Sequence, residues 1–157
     1  MLLSWYLRIH LQFELVEAYL AKRDLFRARL EANRMLQAAL ATAERTWQAL
    51  AWDASARVAL QEKTVHRSES ELKNALDVMS GFDLPLAAWR VHKTAALLSR
   101  LSGNGELLDF HLAQARGVGV SLAKSLDSRP ALQQTFRSSP AISEILGNNQ
   151  EVAAGSK

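Results

Sequence analysis

Three turn signals, Asp24, Thr64 and Asn104, each before an even-numbered helix, stand at one spacing, each 40 residues after the last. A short side-chain oxygen at such a position accepts a hydrogen bond from a free N–H of the first helical turn. The surroundings keep step. Ala28, Ser68 and Leu108 follow the signals by four residues, Ala32, Leu72 and Leu112 by eight, and Met35, Ala75 and Ala115 by eleven. Tyr19, Ala59 and Ser99 precede them by five. One helical hairpin cannot bury its apolar face alone, so a chain that repeats the unit is constrained to stack the copies. The spacing predicts three antiparallel hairpins; a plain six-helix bundle is the rival arrangement.

Composition decides the fold class. Of 157 residues, 25 are Ala and 26 Leu, against 8 Val and 3 Ile, with only 7 Gly and 3 Pro. Ala and Leu lose little freedom in a helix, whereas β-branched residues lose χ1 freedom. The chain is therefore all-α, which excludes Rossmann, barrel and sandwich folds. Apolar periodicity places six main helices over roughly 2–20, 25–42, 47–62, 65–79, 85–101 and 106–126. Thr46 is the expected cap of the third and Thr64 of the fourth. Gly81 suits the position just past the fourth, Asp83 with Pro85 opens the fifth, and Gly117 and Gly119 weaken the sixth. Short helices follow Pro130 and Ser139-Pro140, the second ending at Leu146-Gly147. Residues 1–147 read as one domain and 148–157 as a disordered tail.

Several functions drop out. There is no cysteine, so disulfides, thiolate nucleophiles and Cys-ligated metals are excluded. The first twenty residues are apolar but carry Arg8, His10, Glu14 and Glu17, unlike a secretory leader or a membrane span. A cytoplasmic location is the expectation. His10 and Glu14 lie one turn apart, but no third metal ligand follows from spacing. No HExxH, GxSxG, phosphate loop or nucleophile–base pair occurs, so neither an enzyme nor a cofactor is expected.

The segment AWDASARVALQEKTVHRSESELKNAL resembles a tetratricopeptide repeat. Trp52, Ala56, Ala59, Ser68, Leu72 and Ala75 fall where that motif wants aromatic, small, packing, small, large apolar and small residues. Ala18–Leu36 and Ala95–Ala115 are imperfect further copies. The departures are a spacing of 40 residues, Lys63 at the usual inter-helix glycine and Leu108 at a small position. The end of the chain, SLDSRPALQQTFRSSPAISEILG, is similar to the ends of helical-repeat regions in bacterial multidomain adenylate cyclases and in LuxR-type or nucleotide-switched regulators. The resemblance implies an α-solenoid of about three units with C-terminal capping helices. It also implies a non-catalytic role in protein or peptide binding, as a sensing or scaffolding region of a bacterial signalling protein.

In such arrays the odd helices line a concave groove. The resemblance assigns Arg57 and Gln61 to that face, together with Arg90, Lys93, Leu97 and Arg100 of the fifth helix. Asp53 lies beside them, and His10, Phe13, Glu17 and Leu20 come from the first helix. Arg90, Lys93, Leu97 and Arg100 stand at i, i+3, i+7 and i+10, one continuous stripe. The expected groove is basic at its C-terminal end and mixed at its start, and suits a protein or acidic peptide. Lys93 matches a carboxylate-clamp lysine, without the clamp's Asn partners. A basic module for nucleic acid or another anion is the alternative. Trp47, Trp52 and Trp89 are expected packing anchors. The first helix, apolar nearly all round, is expected to self-associate or meet an upstream domain through Trp5, Ile9 and Phe13.

Overall fold

The computed structural model describes residues 2–147, with side chains from Tyr6 onward. The expected tail and the indole of Trp5 lie outside the described residues. Eight helices are described: α1 (Leu2–Ala21), α2 (Leu25–Leu40), α3 (Arg45–Gln61), α4 (Val65–Met79), α5 (Pro85–Leu101), α6 (Gly105–Ser125), α7 (Pro130–Ser138) and α8 (Pro140–Leu146). The described residues contain no strand.

The turns inside the three hairpins share one geometry. Arg23, Lys63 and Gly103 adopt positive φ of 57°, 60° and 72°. The next residue's N–H then reaches back five residues: Asp24 to Tyr19 O at 3.0 Å, Thr64 to Ala59 O at 2.9 Å and Asn104 to Ser99 O at 2.9 Å. These bonds satisfy carbonyls that the end of a helix would otherwise leave open. A left-handed arginine or lysine costs about 1–2 kcal/mol, which the helix pair must offset.

Two side-chain caps form, the expected one at Asp24 and a second at Asn104. Asp24 accepts from Arg27 N at 3.1 Å, and Asn104 from Leu107 N at 3.1 Å. The Thr64 hydroxyl does otherwise, donating to Ala59 O at 2.9 Å, so it closes α3 rather than capping α4. Thr46 is not a cap either, because α3 starts at Arg45. Thr42 holds that join: its hydroxyl donates to Ala39 O and accepts from Glu44 N, and its carbonyl accepts from Gln48. This ends α2 two residues before the expected Thr42. Pro85 opens α5 with Leu84, not Asp83, at its cap position.

Turns of three residues make α1/α2, α3/α4 and α5/α6 antiparallel neighbours. Consecutive hairpins meet where α2 packs on α3 and α4 on α5, and the odd helices α1, α3 and α5 touch in series. The central α3 has neighbours on four sides. Ala49, Ala51, Ala54, Ala56 and Ala59 are all fully buried along it, and such small side chains let helices approach closely.

Helices α2 and α4 each bury a narrow line in the same register: Ala28, Ala32, Met35 and Ala39, then Ser68, Leu72, Ala75 and Met79. Ala28 and Ser68 are fully buried, and the Ser68 hydroxyl donates to Ala56 O at 3.0 Å. Helix α6 keeps this register at Ala115 and Gly119 and departs from it nearer its start. It buries His111, Ala115, Gly119 and Ala123, and leaves Leu112 exposed. At that point His111 faces His92 of α5, while Ala115 and Gly119 lie against α8.

The expected contact surface on α1 needs correction. Ile9 and Phe13 are 0% and 7% exposed and belong to the core, because they face α2 and α3 rather than solvent. Among the described side chains of α1, Leu7 and Leu11, one turn apart, are the most exposed large apolar residues, at 62% and 61%.

Candidate functional site

Where α1, α3 and α5 meet, their side chains leave two adjoining cavities of about 370 and 320 Å³. The larger takes Arg90, Lys93, Leu97 and Arg100 from α5, one turn after another, because the stripe faces α3 and α1. Arg57 and Asp53 come from α3, Phe13 and Glu17 from α1. The smaller shares Glu17, Arg57 and Leu97 and adds Leu20 and Gln61. All six residues singled out in the sequence, Arg57, Gln61, Arg90, Lys93, Leu97 and Arg100, line one cavity or the other. His10 does not. Its ring packs edge-on against Trp47 at 4.4 Å and Tyr6 at 4.5 Å.

The charges are arranged differently from the expected basic groove. Arg57 Nε donates to Asp53 Oδ2 at 2.9 Å, and its Nη2 to Glu17 Oε1 at 2.5 Å, tying α3 to α1. Burial opposes the Arg57 charge, but the two carboxylates more than compensate and hold its pKa above the ordinary guanidinium value. Asp53 is fully buried, and its Oδ1 meets no hydrogen-bond donor of the described residues.

Lys93 is also occupied. Its Nζ lies 2.5 Å from Glu144 Oε2, a residue of α8. Glu144 and Ala141 form the larger cavity's wall beyond α5. Counting the charged lining residues, Arg57, Arg90, Lys93 and Arg100 stand against Glu14, Glu17, Asp53 and Glu144, four of each sign. The cavity is balanced because acidic residues from α1, α3 and α8, remote in sequence, converge on the basic stripe.

Two cations keep no carboxylate partner among the described residues. Arg90 donates to Leu86 O at 3.1 Å, and its guanidinium lies 4.1 Å from the Trp89 ring and 5.5 Å from that of Phe13. Burial first, and the neighbouring Arg57 charge, hold its pKa below the ordinary value, against the pull of Glu17, Asp53 and Glu14. Arg100 is exposed on the last turn of α5. Between the basic residues, Leu97 offers an apolar surface and is 45% exposed.

Sequence reasoning missed three features here. Glu144 closes the cavity from 51 residues beyond Lys93. Trp89 serves as an anchor, as expected, but for α8: it packs with Ile142 and Ile145. His92 and His111 bring their Nδ1 atoms to 3.0 Å between α5 and α6. Burial, then the proximity of His111, pushes His92 down to about 4, and burial also lowers His111. Nothing in a linear pattern marks these pairs.

Among the described residues no group of three or more His, Asp or Glu side chains could hold a metal ion. No helix among them is long and apolar enough to cross a membrane. The fold and the site thus define an all-helical chain with a charge-balanced groove on its odd-numbered helices. No family model matches the chain, and no curated protein or solved structure does either.

Proposed function

We propose that the chain is an array of three tetratricopeptide-like hairpins that binds a protein or peptide segment along α1, α3 and α5, with no chemistry of its own. One observation carries the reading: of the eleven residues that the repeat register assigns to the concave face, all but His10 line two adjoining cavities. The common turn at Arg23, Lys63 and Gly103 and the matching buried lines of α2 and α4 support the repeat. Role and setting follow the resemblance: a sensing or scaffolding region of a bacterial signalling protein, working in the cytoplasm.

The mixture of Leu97 and Phe13 with fixed and free charges suits a peptide, whose side chains supply apolar and ionic contacts together. A nucleic-acid module is the weaker reading. Phosphate binding draws on an excess of cations, and here four cations face four carboxylates. The test is fluorescence anisotropy with a library of labelled peptides and a labelled DNA duplex, on the wild type and on Arg90→Glu/Arg100→Glu. Binding of a subset of peptides, weakened about tenfold or more in the variant, is the expected result. Tight, steeply salt-dependent binding of the duplex, with no peptide retained, overturns it.

A further inference from the structure

The stripe on α5 has an order. At 1.5 Å per residue, Arg90 and Lys93 lie about 4.5 Å apart along the helix axis, Leu97 about 6 Å further on, and Arg100 about 4.5 Å beyond that. The groove therefore presents a basic pair, an apolar step and a second cation within about 15 Å. An extended peptide advances about 3.3 Å per residue and turns alternate side chains to one face. Residues i, i+2 and i+4 of such a peptide span about 13 Å, and an acidic, apolar, acidic sequence on that face complements the stripe.

One of these positions is already filled from within the chain. Glu144 lies on Lys93 at 2.5 Å, while Arg90 and Arg100 on either side form no ion pair with a carboxylate among the described residues. The contact comes from α8, a helix of 7 residues. Its Ile142 and Ile145 pack with Trp89 of α5 and Ala115 of α6 in a buried cluster separate from the main core. The Glu144 side chain is 61% exposed. An ion pair so open to water is weak, so exchanging its carboxylate for another costs little.

Resting on the peptide-binding reading, we infer that Glu144 is a built-in stand-in for a ligand carboxylate, and that the ligand is an extended segment of the form acid–x–apolar–x–acid that displaces it from Lys93. Helix α8 then acts as a cover on the basic end of the groove. It lowers affinity for every ligand that needs Lys93, and it excludes ligands too weakly acidic to compete. Arg100, exposed among the described residues, receives the second acid.

The experiment uses a fluorescein-labelled peptide containing Glu-Ser-Leu-Ser-Glu and its Gln-Ser-Leu-Ser-Gln counterpart, with the full chain as wild type, Glu144→Gln, Lys93→Gln and the double variant. Glu144→Gln is expected to tighten the acidic peptide about three- to fivefold. The gain should vanish when Lys93→Gln is added, and the Gln peptide should not distinguish Glu144→Gln from wild type. Circular dichroism verifies that each variant is folded. If wild type and Glu144→Gln bind the acidic peptide equally, or Glu144→Gln binds it less well, the stand-in role is overturned while the groove remains a binding site. If neither protein binds the acidic peptide, the ligand assignment falls with it; if neither binds any peptide of the library above, the peptide-binding reading falls as well.

Discussion

The two ends of the molecule are built on different principles. From α1 to α5 one continuous core joins 21 buried residues, many of them alanines packed at helix crossings. From α6 to α8 the second cluster has four, and one of those, Trp89, belongs to α5. The ion pairs follow the same division. Arg57 is half-buried between Asp53 and Glu17, where removing one partner strands a buried charge. Lys93 and Glu144 meet at the surface, where a pair contributes on the order of 0–1 kcal/mol. The first region holds a fixed scaffold, and the second lies on it through a few contacts. A cover that opens is better placed in the second region, where local opening costs less than global unfolding.

The contrast is broken most severely at the alanine crossings. Ala28→Arg forces a long charged side chain into a fully buried site against α1 and costs several kcal/mol, about 4, by overpacking and an unpaired charge. Urea melts measure it, and an unchanged midpoint sinks the assignment of Ala28 to a close crossing.

Ile142→Ala tests the other region. Ile142 is 2% exposed between Trp89 and Ile145, so truncation costs about 2–3 kcal/mol. That loss belongs to α8 and its neighbours. Hydrogen exchange should quicken in α7 and α8 and stay unchanged from α1 to α4. Uniform quickening along the chain means that the two clusters unfold as one.

The smallest effect lies at the seam. His92 and His111 join α5 to α6 and are held neutral, His92 with a pKa of about 4. In the unfolded chain both titrate near 6.5. Between those values the unfolded state binds more protons, so their contribution is complete above about pH 6.5 and declines as pH falls towards 4. The urea midpoint should drop from pH 7 to pH 5, and drop less in His92→Gln. Parallel curves for the two proteins assign the loss to other groups.

Legibility in the sequence followed the range of each interaction. Helix α4 runs from Val65 to Met79, as its periodicity and Gly81 indicate, and α7 and α8 follow their prolines. Thr42 rather than Thr46 secures the join of α2 and α3, because either hydroxyl suits a helix end and only contacts with Ala39, Glu44 and Gln48 choose between them. The register of Leu112 failed because its neighbour His111 turns inward to meet His92 of α5, a pairing the sequence does not show. On α1, Ile9 and Leu7 are equally apolar, and only the direction of the neighbouring helices separates core from surface.

By itself the amino-acid sequence determined the helices, the hairpin turns and the stripe of Arg90, Lys93, Leu97 and Arg100 on one face of α5. Each depends on residues within about a turn of one another, through backbone hydrogen bonding and the 3.6-residue period. The tertiary structure alone decided which of those charges remain free. Glu17 meets Arg57 across 40 residues of chain and Glu144 meets Lys93 across 51. Neither meeting leaves a periodic trace, because a carboxylate on an exposed helix face looks the same in sequence whether it faces water or a lysine. A stripe that reads as basic therefore became a balanced groove in which Lys93 is engaged, Arg90 stacks on Trp89 and, among the described residues, Arg100 is exposed without a carboxylate.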